Sequence, residues 1–180
     1  MPEAEMRTTD EGSEPAGEGW FVVNVAQARG LRHETAGIFA RFESTDARFP
    51  DFGINIHVLQ PGEPNALYHQ ESAQEDFLVL HGECTLIVED QERTLRQWDL
   101  FHSPPNTPHV FVGAGNGPCA ILMVGTRDED EVLLYPVSET ALKHKAGVER
   151  ETDSAPEAYS IWSSQFKPER MPWPPQKTDS

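Results

Sequence analysis

Short apolar or alternating segments, separated by turns that contain glycine and proline, constrain the fold of this chain more than any other feature. They follow one another from Trp20 to Gly125 and read WFVVNV, GIFARFE, GINIHVL, DFLVL, CTLIVE, RTLRQW, DLFHS, HVFV and CAILMVG. Turn-forming sequences such as Pro61-Gly62 and Pro104-Pro105-Asn106 stand between them. Many short strands at close spacing are typical of an antiparallel sandwich or a small barrel. We therefore predict an all-β fold.

The two ends of the chain differ from this region in composition. Residues 1–19 are acidic, rich in glycine and proline and almost free of large apolar side chains, so we predict a disordered N-terminal segment. Residues 20–136 are expected to form a single barrel domain. A short helix is predicted over Ser138–Ala146, because it begins with an N-cap serine and ends before a glycine. It lies in a C-terminal region, 137–180, that is otherwise an irregular tail packed on the barrel through its aromatic side chains.

The charge balance limits the partners that the chain is expected to have. The 180 residues include 30 acidic and 14 basic side chains, for a formal net charge of −16. Such a field repels phosphate backbones and anionic lipid, so we expect no nucleic-acid and no membrane partner. The sequence has no apolar run of about 18 residues, and residues 1–19 lack the features of a signal peptide. A cytoplasmic location is therefore expected.

The two cysteines, Cys84 and Cys119, lie in the apolar segments ECTLIV and PCAILMV. Two cysteines do not make a disulfide framework in a chain of this length. We predict that both thiols are reduced and buried.

A group of polar side chains precedes one predicted strand, in the stretch LYHQESAQEDFLVLHGE at residues 67–83. Residues two apart on a strand point to the same face, so His69 and Glu71 project together. An imidazole nitrogen and a carboxylate that converge in this way are ligands for a divalent cation. Glu75, after the next bend, is a candidate third ligand. Further along the chain, the proline-fixed turn PPNTP delivers a fourth candidate, His109, to the start of a strand.

A second register of this stretch stays open. In it, Tyr68 and Gln70 point inward, His69 and Glu71 point outward, and the acidic segment QESAQED is a solvated loop. That register would form no metal site. Two further histidines, His57 and His102, lie on predicted strands of the same sheet system and are weaker candidates for donors that orient a ligand or a substrate.

The stretch around His69 resembles the first sequence motif of the cupin superfamily, G-x5-H-x-H-x3–4-E-x6-G. Gly62 opens the motif, and His69 falls one residue later than the pattern places its first histidine. Glu71 takes the place of the second histidine and Glu75 that of the glutamate. Gly82 closes the motif at the expected spacing.

The second cupin motif, G-x5-P-x-G-x2-H-x3-N, is matched by Pro104 and by His109 in the position of the ligand histidine. The departures, at the two glycines and the asparagine of the motif, are Trp98, Asn106 and Gly113. The resemblance covers residues 53–125 and the strand pattern on both sides. It implies a cupin-type double-stranded β-helix, that is, a jelly-roll barrel.

The resemblance also implies a divalent transition metal ion, Fe, Mn or Zn. Cupin sites hold the ion with three histidines and one glutamate. Glu71 in place of one histidine would leave two histidines and two carboxylates, a set that suits a metal accepting mixed nitrogen and oxygen ligands. If Glu71 turns away, the remaining set is His69, Glu75 and His109, which is associated with open-coordination non-haem iron. Both sets stay open at this point.

Two kinds of function follow from the resemblance, and the residues do not choose between them. One is metal-dependent chemistry on a small oxygen-bearing substrate, as a dioxygenase, an isomerase or a decarboxylase. The other is non-catalytic binding of a small, sugar-like molecule in the barrel. The resemblance further implies a homodimer, because cupins commonly pair through edge strands. Trp20–Val23 is the candidate segment for covering an open edge.

Overall fold

The computed structural model describes residues 1–128, 130–162 and 165–175, and it confirms the all-β class. The strands within these ranges are β1 Met6–Thr9, β2 Gly12–Pro15, β3 Arg29–His33, β4 Gly37–Arg41, β5 Phe52–Leu59, β6 Gln70–Glu71, β7 Glu75–His81, β8 Glu83–Val88, β9 Gln91–Arg96, β10 Leu100–Ser103, β11 His109–Ala114, β12 Cys119–Thr126, β13 Leu133–Leu134 and β14 Lys167–Arg170. The helices are α1 Glu139–Lys143 and α2 Ala155–Ala158, with 3₁₀ turns at Val25–Gln27 and Tyr159–Ile161.

Two antiparallel sheets form the barrel. The larger has the strand order β10-β7-β12-β5-β4-β3-β14, and the smaller has the order β11-β8-β9. The chain passes from one sheet to the other between β7 and β8, β9 and β10, β10 and β11, and β11 and β12. This alternation is the jelly-roll arrangement that the resemblance implied.

The main core lies between the two sheets, because alternate residues of their strands point inward. Its buried members are Leu59, Phe77, Val79, Cys84, Leu86, Phe111, Cys119, Ile121 and Met123. Phe111 is fully buried, and its ring centroid lies 4.7 Å from that of Phe77. Both cysteines are free and buried, as predicted. A hydrogen bond with Cys119, together with burial, raises the pKa of the Cys84 thiol above its ordinary value.

Helix α1 begins where the sequence predicts and ends earlier. The Ser138 hydroxyl caps it by accepting from the Ala141 N–H at 3.0 Å. Lys145 has a φ of 58°, and the N–H groups of Lys145 and Ala146 donate to the carbonyls of Leu142 and Ala141 at 3.0 and 2.9 Å. These bonds form a Schellman motif, which ends the helix at Lys143, before the predicted boundary at Ala146. Ala141 and Ala146 then pack against the outer face of the smaller sheet.

The prediction that residues 1–19 are disordered is wrong, since β1 and β2 form a hairpin there. The Glu14 carboxylate accepts from Nη1 of Arg29 at 3.0 Å and from Nη1 of Arg7 at 3.2 Å. Pro15 at the end of the hairpin is fully buried. Composition does not indicate these contacts, because Arg29, one of the two partners of Glu14, lies outside the segment. The predicted strand at Trp20–Val23 is also absent, and Trp20 forms only an isolated bridge with Glu3.

The C-terminal region returns to the larger sheet. Its strand β14 pairs with β3, which was not among the predicted strands. The Trp162 ring lies 4.8 Å from the His33 ring, and Trp173 packs against the apolar cluster on the outer face of that sheet. Among the described residues, no helix is both long enough and apolar enough to span a membrane.

A glycine-to-alanine pair tests the turn between β7 and β8. Gly82 has a φ of +72°, and a Cβ added there would collide with the carbonyl oxygen of Pro118. Gly117 has no atom within 4 Å of an added Cβ. We expect Gly82→Ala to lower the free energy of unfolding by more than about 1 kcal/mol, and Gly117→Ala to change it by less than about 0.5 kcal/mol. Urea denaturation measures both, and equal unfolding midpoints for the two variants would contradict the prediction.

Candidate metal centre

The two motif segments meet at an isolated antiparallel bridge between His69 and His109. The His69 N–H donates to the His109 carbonyl at 3.2 Å, and the His109 N–H donates to the His69 carbonyl at 2.8 Å. Residues directly opposite each other in an antiparallel pair project to the same face. The bridge therefore places the two imidazoles side by side, with their ring centroids 5.5 Å apart.

Three of the predicted ligands converge beside this bridge. Single ligand atoms of His69, Glu71 and Glu75 all lie within 4.8 Å of one another. Nε2 of His69 is 3.2 Å from Oε1 of Glu71. His109 adjoins the group, with its Nε2 3.4 Å from Oε2 of Glu75. The structure thus brings all four predicted side chains together, and their role as metal ligands stays a prediction.

The alternative register, with Tyr68 and Gln70 pointing inward, is not the one adopted. Tyr68 is buried on the opposite face, among Ile87, Val110 and the alanines that follow Ser138. Its hydroxyl accepts from the Asp90 N–H at 3.0 Å. Because residues alternate along an extended chain, Tyr68 on that face commits His69 to the face of the carboxylates.

A backbone carbonyl holds each imidazole at its Nδ1. This atom lies 2.7 Å from the Leu67 carbonyl in His69 and 2.9 Å from the Thr107 carbonyl in His109. A carbonyl oxygen only accepts, so Nδ1 carries the proton in both rings. The Nε2 atom of each ring then faces a carboxylate. Histidines that bind metal ions generally have their second nitrogen fixed by such a hydrogen bond.

Three phenylalanine rings pack around the imidazole of His109. The ring edges or faces of Phe77, Phe101 and Phe111 meet it at centroid distances of 5.0, 5.5 and 6.1 Å. Burial lowers the pKa of His109 to about 4, and the nearby charge of His69 acts in the same direction. The imidazole is therefore neutral at neutral pH. The Ser103 hydroxyl, which the sequence did not single out, lies 3.4 Å from Nδ1 of His109.

The carboxyl groups are crowded. Burial first, and then the charge of Glu71, raise the pKa of Glu75 to about 7. Glu131 was not predicted as a member of the site, but its carboxyl group forms a hydrogen bond with that of Glu71. Burial and this bond raise the pKa of Glu131 to about 7. Burial by itself would raise the pKa of Glu71. Hydrogen bonds with His69 and Glu131 outweigh the effect of burial, so the pKa of Glu71 is lowered.

His69 carries the opposite shift from His109. Burial disfavours its charged form, but the hydrogen bond and the charge of Glu71, followed by the charge of Glu75, raise the pKa of His69 above its ordinary value. The carboxyl groups of Glu71, Glu75 and Glu131 therefore lie near two imidazoles, of which His69 accepts a proton readily and His109 does not. Such a donor set, with buried oxygens in excess of positive charge, fits a divalent cation.

The segment after β12 covers the site. Leu133 and Leu134 of β13 pair with Glu71 and Gln70 of β6. The Ser72 N–H donates to the Val132 carbonyl at 3.0 Å. The Tyr135 ring lies 5.8 Å from the His69 ring, and burial raises the pKa of its hydroxyl. The four predicted side chains are therefore enclosed by this segment above and by the aromatic core below.

The two weaker histidine candidates, His57 and His102, lie in different surroundings, one buried and one exposed. His57 is buried on β5, stacks on Phe39 at 5.0 Å, and is separated from the strand of Glu75 by β12. Burial lowers the pKa of His57 to about 3. The prediction of a pocket role for His102 is wrong. Its side chain is 52% exposed on the outer face of β10, where Nδ1 lies 2.7 Å from Asp76 Oδ1. The inward position belongs to the next residue, Ser103, opposite Glu75.

Comparison with known proteins agrees with the fold. Residues 55–125 match the family described as the cupin domain. Residues 55–125 are therefore a cupin domain. A solved sugar phosphate isomerase of the cupin superfamily, from Silicibacter pomeroyi DSS-3, has 20% sequence identity and a TM-score of 0.53. The alignment covers 87% of this chain and 96% of that one, and at this identity it shows the fold alone.

Two curated proteins match shorter parts of the chain. Human syntaxin-16 is 34% identical over 85 residues, which are 44% of this chain and 26% of that protein. The uncharacterized protein MJ1618 of Methanocaldococcus jannaschii is 25% identical over 65 residues, which are 36% of this chain and 52% of that protein. The chain therefore spans about a quarter of the first relative and about half of the second.

The ionisation of His109 is directly measurable in metal-free protein. We expect its Nδ1 to carry the proton at neutral pH, and its imidazole to become charged only near pH 4, because burial among aromatic rings disfavours the cation. Long-range ¹H–¹⁵N NMR spectra recorded across a pH titration report both the tautomer and the midpoint. The exposed His102 serves as the internal comparison. A His109 midpoint near the ordinary histidine value of about 6.5 would contradict the prediction.

Proposed function

We propose that the chain binds one divalent transition metal ion through His69, Glu71, Glu75 and His109, and that the bound ion holds a small oxygen-bearing molecule. The observation that carries this proposal is the convergence of these side chains beside the His69–His109 bridge, with Nε2 of both histidines directed at carboxylates. Fe, Mn or Zn suits a set of imidazole and carboxylate ligands.

The contact between His109 and Glu75 supports a cation in particular. Nδ1 of His109 already donates to the Thr107 carbonyl, so its Nε2 offers a lone pair to Oε2 of Glu75 at 3.4 Å. Two acceptors face each other whenever Glu75 is ionised. A metal ion that accepts both electron pairs removes this conflict without a proton.

The position of Glu71 favours two histidines and two carboxylates over the set without it. Its carboxylate belongs to the group whose ligand atoms lie within 4.8 Å of one another, and its side chain is 20% exposed. Two carboxylates balance the charge of a divalent ion, so such an ion would be a weaker Lewis acid than one held by three histidines and one glutamate.

The bound ion would supply a Lewis acid for the oxygen atoms of a ligand. Residues of the chain would orient the ligands, exclude water and hold a proton. The Leu67 and Thr107 carbonyls hold the imidazoles in orientation. Tyr135 would limit the access of water on the side of His69. Glu131 would hold a proton in the hydrogen bond between its carboxyl group and that of Glu71.

Metal analysis of matched histidine variants tests the ligand set. Protein purified without chelators should contain close to one transition-metal ion per chain by mass spectrometry. We expect His109→Ala to weaken metal binding tenfold or more, because even residues behind the ligands have effects of about 10–100-fold. His144→Ala, which removes an imidazole that pairs with Glu92 at 2.9 Å, should leave metal content unchanged. Equal metal retention in both variants would remove His109 from the ligand set.

A turnover assay then separates catalysis from binding. Metal-loaded protein would be incubated with small hydroxy acids and sugars while oxygen uptake, isomer formation and carbon dioxide release are followed. Turnover that disappears in His109→Ala but persists in His144→Ala would assign metal-dependent chemistry. Saturable, metal-dependent binding without turnover would assign the non-catalytic function.

A further inference from the structure

The structure has a cavity of about 350 Å³ whose lining includes Phe39, Arg41, Arg48, Asn55 and Arg127. We call it the arginine cavity. It lies over the face of the larger sheet that carries Glu75. On neighbouring strands, Glu75 stands opposite Gly125, and Gly125 stands opposite Gly53. Asn55 lies two residues after Gly53, and Arg127 lies two residues after Gly125. Both side chains therefore point to the same face of the sheet as the glycines and Glu75.

A second cavity shares two lining residues with the arginine cavity. It has a volume of about 390 Å³ and is lined by Arg48, Phe49, Pro50, Arg127, Asp128 and Glu131. Arg48 and Arg127 line both cavities. Glu131 forms a hydrogen bond with Glu71 of the metal centre. Arg48 and Arg127 therefore line the same cavity as Glu131, a side chain that contacts a predicted ligand.

The charge in the arginine cavity is opposite to that of the whole chain. Arg127 is paired with Glu43, at 2.7 Å from Nη1 to Oε1 and 2.5 Å from Nη2 to Oε2. Arg41 and Arg48 form no ion pair with another described residue. Three guanidinium groups against the one carboxylate that lines the cavity leave an excess of two positive charges, in a protein whose net charge is −16. Guanidinium groups bind carboxylates and phosphates in a bidentate manner.

Two buried polar atoms on the same face have no hydrogen-bond partner among the described residues. They are Oδ1 of Asn55, which lines the cavity, and Nδ1 of His57, two residues further along β5. His57 is 9% exposed and stacks on Phe39, another lining residue. Buried polar atoms in native proteins are generally hydrogen-bonded to protein, water or ligand. Oδ1 of Asn55 can only accept, so the missing partner must donate, as a hydroxyl group does.

We propose that the arginine cavity binds the oxyanion of a small hydroxylated molecule, through Arg41 and Arg48, with a hydroxyl group of the same molecule donating to Asn55. The oxyanion is a carboxylate or a phosphate, which these groups recognise in the same way. The inference extends the proposed function, because it makes the ligand of the metal centre a small organic anion. The anion site itself does not require the metal ion, which allows the two proposals to be tested separately.

Three compounds with one carbon skeleton distinguish the classes of ligand: glycerate, glycerol 3-phosphate and glycerol. Binding to the full chain would be measured by titration calorimetry at 0.15 M ionic strength, with and without loaded Zn²⁺. We expect one or both anions to bind and glycerol not to bind. The tighter of the two anions identifies the oxyanion. Arg41→Ala and Arg48→Ala should each weaken anion binding by about tenfold or more, since each removes a charge-assisted hydrogen bond.

Arg93→Ala is the matched control, because Arg93 lies on β9 and its guanidinium contacts only Glu92 and Gln91 in the described chain. It should bind the anions as the natural chain does. Glycerol binding as tight as anion binding, equal anion affinity in Arg41→Ala and Arg93→Ala, or no anion binding up to about 10 mM would each overturn the inference. Metal loading without anion binding would leave the proposed function intact. Anion binding to a chain that takes up no metal would leave the arginine cavity intact and remove the metal centre.

Discussion

The backbone bridge between His69 and His109 is the constraint on which the site depends. It joins the segment before β7 of the larger sheet to β11 of the smaller sheet. It also aligns two imidazoles from distant parts of the chain. A shift by one residue would exchange His69 for Tyr68 on the inner face. That shift is opposed by the burial of Tyr68, whose N–H donates to the Ala146 carbonyl at 2.6 Å. Helix α1 and the turn that ends it therefore stabilise the register of the site from the outside of the barrel.

Burial then gives these side chains their chemistry. The same aromatic layer that closes the core keeps His109 neutral, while carboxylates two and six residues after His69 make that imidazole basic. In a medium of low polarity, unpaired charges are costly and paired ones interact strongly. A bare cluster of carboxyl groups must retain protons there, as the raised pKa values of Glu75 and Glu131 indicate. A divalent cation removes the need for those protons, and so the donor set and its burial support the same proposal.

Much of the barrel is predictable from the sequence, because β5, β7, β8, β11 and β12 carry clear patterns of apolar residues. Two of the four candidate ligands are predictable for a similar reason, since Glu75 and His109 are the first residues of β7 and β11. The other two, His69 and Glu71, lie in the segment that leads into β7. Glu131 is not predictable, because it belongs to the acidic run that follows β12 and has the composition of a solvated loop. Only the pairing of β13 with β6 brings it to Glu71. The hairpin before Pro15 was missed for the same physical reason, since its stability depends on Arg29, which lies outside the segment.

The spatial arrangement of charge also bears on how a ligand would reach the metal centre. Below the histidines, Phe77 and Phe111 fill the space between the sheets, and above them the segment from Glu131 to Tyr135 covers His69 and Glu71. Arg127 lines two cavities, and one of them is also lined by Glu131, which contacts Glu71. A small anion held by these guanidinium groups, as proposed, would lie over the face of the larger sheet that carries Glu75. An anion gains affinity at that point, whereas the surrounding acidic surface repels it everywhere else. Under the two proposals, the arginine side chains would therefore select small molecules by their charge.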